Sequence, residues 1–251
     1  MAVGSVTAAG DHQAQDVISS RPPTAATPYS VGRHVYPPGA VRVSASMSLG
    51  DDGISILFVS GYSILGDALY FANYAAPDGG PIDGSVRRVG GGWGSFVALE
   101  QTGNGAYGLR NDGTLFRWKI DAKGVWRSRT SAPGFAAVKS MALLRYTKTY
   151  DLFLANTRGG ALYTILVPAT APLKPVVRLV RAATWQGFET LMAQPCGRYG
   201  FVLLGIDKDS RTGYVYAVGA PNGTSTVIQG LGKVPAKFSD PVYFHWAFVG
   251  P

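Results

Sequence analysis

The chain has 251 residues, of which 15% are charged, 46% apolar and 12% aromatic, with 33 Gly and 16 Pro. That balance excludes intrinsic disorder and suits many short strands joined by turns, and no apolar run nears the roughly 20 residues a membrane-crossing helix needs. The formal charge of +8 favours polyanions, yet only Arg87-Arg88 are adjacent basic residues, so neither nucleic acid nor membrane insertion is expected.

The first 20 residues contain no positive start followed by an apolar stretch, which is how a secretory signal reads. Localisation therefore stays open, with secretion of a chain already freed of its leader as one reading. Residues 1–40 carry Arg21-Pro22-Pro23, Pro28 and Pro37-Pro38 and little apolar alternation, which predicts an extended arm with a loose start. Residues 41–251 form the body. A single cysteine, Cys196, allows no internal disulfide, so packing alone must hold the fold.

From Val41 on, a pattern repeats. Leu69-Tyr70, Leu115-Phe116, Leu162-Tyr163 and Val215-Tyr216 each follow a turn rich in Gly or Asp: Gly66-Asp67, Asp112-Gly113, Gly159-Gly160 and Thr212-Gly213. The aromatic member recurs at intervals of 46, 47 and 53 residues. A strand precedes each turn, at 55–59, 106–109, 151–155 and 200–204, and this makes four hairpins. Further upstream lie runs rich in small and apolar residues, 43–47, 96–99, 138–143 and 188–193, which read as innermost strands. Polar runs such as Val125–Arg129 and Val176–Arg181 alternate Arg with apolar residues, as half-solvated outer strands do. Units of this length that cannot bury both faces alone must stack, which predicts an all-β chain built as a small β-propeller. Pro241–Phe248 looks like the first strand of a fifth unit, one that the N-terminal arm would complete.

The second unit reads Gly90-Gly91-Gly92-Trp93-Gly94-Ser95-Phe96, then Tyr107-Gly108, then Asp112-Gly113-Thr114-Leu115-Phe116. This order resembles the blade pattern of tachylectin-like lectins. The resemblance implies a five-bladed propeller that binds N-acetylated sugars in clefts between blades. It covers 41–250 by period and 85–165 by motif. The motif fades to Pro133-Gly134-Phe135 and Trp185-Gln186-Gly187-Phe188 in the later units, so one or two sites are expected rather than five equal ones.

Sugar recognition needs an aromatic face for the apolar side of a pyranose and planar polar groups for its hydroxyls. The candidates are Trp93, Trp118, Phe135 and Trp185 for stacking, with Asn104, Asn111, Asp112 and Asn156 as hydrogen-bond partners. The competing reading makes the aromatic residues blade-to-blade core and the Asn and Asp residues turn chemistry. Propellers also include glycosidases, whose carboxylates would here be Glu100, Glu189 and Asp51 or Asp52. His12, His34 and His245 are too dispersed for a zinc site, and His245 reads as a packed residue. Asp207–Gly213 has Arg211 where a calcium ligand belongs and reads as a hairpin tip, and Cys196 shows no sign of activation. The expectation is thus a non-enzymatic, cofactor-free protein that binds glycans or glycoconjugates. The alternatives are a protein-interaction or structural propeller without a sugar site and a glycoside hydrolase of propeller fold.

Overall fold

The computed structural model describes residues 1–103 and 105–248, and among these it contains 22 strands and no helix. Residues 1–40 carry β1 (Ala2–Val6), β2 (His12–Ile18), β3 (Thr24–Ala25) and β4 (Tyr29–Gly32). Then follow β5 (Val41–Ser44), β6 (Met47–Asp51), β7 (Ile56–Leu65), β8 (Ala68–Pro77), β9 (Asp83–Gly91), β10 (Phe96–Thr102), β11 (Gly105–Arg110), β12 (Leu115–Ile120) and β13 (Trp126–Ala132). The remainder are β14 (Val138–Tyr146), β15 (Tyr150–Thr157), β16 (Leu162–Pro168), β17 (Val176–Arg181), β18 (Thr190–Cys196), β19 (Gly200–Asp207), β20 (Thr212–Val218), β21 (Ile228–Lys233) and β22 (Val242–Phe248).

Three sheets run in chain order, β10 to β13, β14 to β17 and β18 to β21. The other strands form one sheet of order β3-β2-β1-β22-β6-β7-β8-β9, with β4 also on β2 and β5 also on β7. This long sheet is two runs of four, joined where Trp246–Phe248 lie parallel to Met47–Leu49. Four-stranded antiparallel meanders are the build of propeller blades, and all four predicted hairpins are present at β7–β8, β11–β12, β15–β16 and β19–β20, although the turn of the fourth lies at 208–211 and Thr212 and Gly213, expected to form it, pair within β20. The predicted C-terminal strand is β22, and it pairs antiparallel with β1.

Two local expectations fail. The innermost strand of the first repeat, expected at 43–47, is split into β5 and β6, both paired with β7, with Ala45-Ser46 between them. The start of the chain is not loose: β1 is buried along its whole length, and the Met1 ammonium donates to the Val17 carbonyl at 2.8 Å. Five consecutive buried small and branched residues, Ala2–Val6, need a partner strand on each side, and β2 and β22 supply them.

The chain divides into two compact units, one made of Met1–Val17, Ala25–Gln101 and the residues from Asp240 on, the other of Ile18–Thr24 and Thr102–Ser239. The core of the first packs Met47, Leu49, Val59, Ala72, Tyr74, Phe244 and Trp246. His12 sits fully buried within it, its ring 5.2 to 5.9 Å from the rings of Tyr36, Tyr74, Phe244 and Trp246. The core of the second packs Leu154, Leu162, Val180, Trp185, Phe188, Leu191, Phe201 and Leu203.

Candidate functional site

One backbone hydrogen bond recurs through the chain. The N–H of Tyr36 donates to the carbonyl of Gly10, Trp93 to Asp67, Phe135 to Gly113, Trp185 to Gly160, and Val234 to Gly213, all at 2.9 to 3.0 Å. In each case the donor lies in the segment that leads to the next innermost strand; the acceptor lies in a hairpin turn in the first four, and in the fifth it is Gly213, the second residue of β20. The Gly-Gly-Trp motif belongs to this device: the Asp67 carboxylate accepts N–H bonds from Gly92 and Gly94 at 3.2 and 2.7 Å, which hold it below the usual carboxylate range.

These bonds decide what the sequence candidates do. Trp93, Phe135 and Trp185 are 8%, 7% and 6% exposed, so each ring is a plug in its own core with no open face for a sugar. Trp93 packs on Phe96 at 4.5 Å, and Trp185 on Tyr216 and Phe188 at 4.9 and 5.6 Å. Asn156 is fully buried. Its amide donates to the carbonyls of Trp185 and Phe188 at 2.7 and 2.8 Å and accepts from the Ser140 N–H at 3.1 Å. Asn111 and Asp112 are exposed turn residues, and Asp112 accepts from the Thr114 N–H and pairs with Arg110 at 2.9 Å. Asn104 lies outside the described residues. Trp118 is half-buried, stacked on Phe116 at 5.5 Å and edge-on to Trp126 at 5.3 Å.

The acidic candidates are likewise engaged. Glu189 pairs with Lys139 through one oxygen and accepts the Lys208 N–H at 2.8 Å through the other. Glu100 accepts from the Ser46 hydroxyl at 3.4 Å. Asp52 caps its turn by taking N–H bonds from Ile54, Ser55 and Ile56, which lower its pKa. Among the described residues no group of three or more His, Cys, Asp or Glu is placed to hold a metal. The Asp207 segment is a hairpin tip, with its carboxylate taking the Ser210 N–H.

A different surface has the composition that sugar recognition calls for. In the first unit, β6, β7, β8 and β9 present one face on which Ser48, Ser60 and Asn73 form one cross-strand row. Gly50, Phe58, Ala75 and Asp83 form the next. Together they line a hollow of about 360 Å³. The Phe58 ring is 48% exposed in the middle of a sheet, while its neighbour Val59, on the other face, is buried. Alternation fixes this arrangement, because residues two apart on a strand share a face. Gly50, lacking a side chain, leaves one flank of Phe58 open. An aromatic ring is thus bordered by an amide, a carboxylate and two hydroxyls. Sequence reasoning missed it because the run 55–59 gives a strand without showing which of its faces another element covers.

What the fold defines is a class, an all-β repeat chain made of four-stranded antiparallel meanders. No family model matches the chain, and no curated protein matches it, so membership of the tachylectin-like family stays an expectation. Among solved structures it is similar to the computationally designed Ika4 protein (15% identity, 73% of this chain and 99% of that one, TM-score 0.34). It is also similar to the WD40 β-propeller domain of Doa1 (11%, 91% and 86%, TM-score 0.41). A third is a Saccharomyces cerevisiae structure of Dbp5 bound to Nup159 and Gle1 (9%, 91% and 66%, TM-score 0.40). Likeness this distant assigns no function.

Proposed function

We propose that this chain is a non-enzymatic carbohydrate-binding protein of propeller build, with five four-stranded runs closed by the pairing of its two ends, and that a saccharide docks on the Phe58 hollow. The observation that carries the reading is Phe58 itself. Leaving nearly half of Phe58 in water, at the third residue of β7, forgoes burial worth roughly 1 kcal/mol or more. Stacking a pyranose on that ring would recover the burial, with Asn73, Asp83 and Ser60 in reach of its hydroxyls. The lectin analogy is kept in kind while the contact residues move from the buried aromatic plugs to an open sheet face.

A glycan array run on the wild-type chain and on Phe58→Ala tests this. Phe58 is peripheral to the core, so the variant should fold and lose binding about tenfold or more. No glycan bound, or equal binding by the variant, overturns the reading.

One observation favours protein recognition instead. β17 is the last strand of its sheet, and Val177 and Leu179 on it are 48% and 37% exposed. An apolar sheet edge can accept a partner strand. Sedimentation of the wild-type chain against Val177→Lys would show concentration-dependent association removed by the charge; a chain monomeric at all concentrations counts against self-pairing at this edge.

A further inference from the structure

The second unit holds a pocket of about 380 Å³ whose chemistry differs from that of the Phe58 hollow. Its floor is apolar: Leu152 and Leu166 are half-buried cross-strand partners, and the lining also includes Phe201 of β19, a core residue only 2% exposed. Around the floor stand two tyrosines and two arginines, Tyr150, Tyr199, Arg145 and Arg178. No carboxylate lines it. Asp151, between Tyr150 and Leu152, alternates to the other face of β15, where it takes the Tyr107 hydroxyl at 2.6 Å.

The two arginines are set up differently. Arg145 is fixed, donating to the Arg198 carbonyl at 3.0 Å and lying over the Phe201 ring at 5.7 Å. Arg178 is exposed on β17, opposite Thr164 in the ladder. Tyr199 at the rim is 52% exposed, with the Arg198 guanidinium 5.0 Å from its ring. Two cations facing an apolar floor, without a compensating acid in the lining, make a place where a negative group on an apolar body gains from both. Thr164 and the tyrosine hydroxyls are too few to satisfy the many hydroxyls of a sugar.

We propose that this pocket is a second binding site, for a small organic acid with a flat or aliphatic apolar body, whose carboxylate meets Arg178 and Arg145 while its body lies on the half-buried Leu152 and Leu166. The site stands apart from the sugar reading and does not depend on it.

Titration of the full chain with 2-naphthoate and with its neutral isostere 2-naphthamide, followed by calorimetry, tests the proposal. The expected result is saturable one-site binding of naphthoate, at least tenfold tighter than naphthamide and weakened by 0.5 M salt. Arg178→Gln should bring naphthoate down to the level of the amide and leave the amide unchanged, whereas Tyr199→Ala should weaken both. Circular dichroism of each variant confirms that it is folded; both residues are exposed, and Phe58→Ala serves as a control that should bind naphthoate normally. Absence of saturable naphthoate binding overturns the proposal, as does equal affinity for the amide or an unchanged Arg178→Gln titration.

Discussion

At the scale of single residues, the most constrained groups are polar ones buried in the cores. Asn156 closes three hydrogen bonds, and replacing it by Leu removes the partner of the Phe188 carbonyl and of the Ser140 N–H and leaves the Trp185 carbonyl with only the long bond from the Phe188 N–H, 3.5 Å. Such a loss should cost about 2–4 kcal/mol. Urea unfolding of Asn156→Leu checks this, and a change under 1 kcal/mol would count against the role. His12 is neutral in the folded chain: burial lowers its pKa to about 3, and its Nδ1 shares a hydrogen bond of 2.6 Å with the Tyr74 hydroxyl. Burial, aided by the N-terminal ammonium, lowers His245 to about 4. Since the unfolded chain binds these protons near pH 6.5 and the folded chain does not, the stability they allow is present above pH 6.5 and is lost as pH falls towards the folded values. Between pH 6.5 and 5.5, where carboxylates stay ionised, unfolding free energy should fall by about 1 kcal/mol per histidine. Denaturant titrations of wild type and His12→Gln, with the slope shallower in the variant, are the measurement.

At the scale of elements, the recurring bond from a plug residue to a hairpin turn explains why the turns are so specific. Gly113 has φ of +83°, and a Cβ there would lie 2.2 Å from the Ala136 nitrogen, while its carbonyl receives the Phe135 N–H. Gly159 has ordinary φ and open space around it. Gly113→Ala should therefore cost about 2 kcal/mol or more, and Gly159→Ala should stay within about 0.5 kcal/mol of wild type. Matched thermal melts of the two variants compare them, and equal melts would mean that the turn tolerates a side chain. The same recurrence explains why the motif weakens along the chain: the backbone makes the bond, so Trp, Phe, Tyr or Val can each serve as the plug.

At the scale of the whole chain, β22 is held on one side by β1, which starts the sequence, and on the other by β6. A chain lacking residues 1–18 would expose the backbone edge of β22 and uncover Phe244 and Trp246, including the bond from the Trp246 indole to the Gln13 carbonyl. It should fail to fold or should aggregate, as size-exclusion chromatography and circular dichroism would report. A monomer with an unchanged unfolding midpoint would show that closure by the N-terminal strands is dispensable.

The hairpins were legible in the sequence because each depends on neighbours close in the chain, as with Asp112-Gly113 between β11 and β12, and their recurrence made the repeat period legible too. So was the unfinished C-terminal strand. The exposure of particular rings was not legible, since it depends on residues far apart in the chain: Trp93 and Trp185 looked like ligand platforms and are plugs, while Phe58, read only as part of a hairpin strand, faces water. Composition cannot say which face of a strand a distant element will cover. Sequence periodicity thus determined the all-β repeat architecture, and long-range packing alone decided which aromatic side chains stay accessible and where arginines meet an apolar floor.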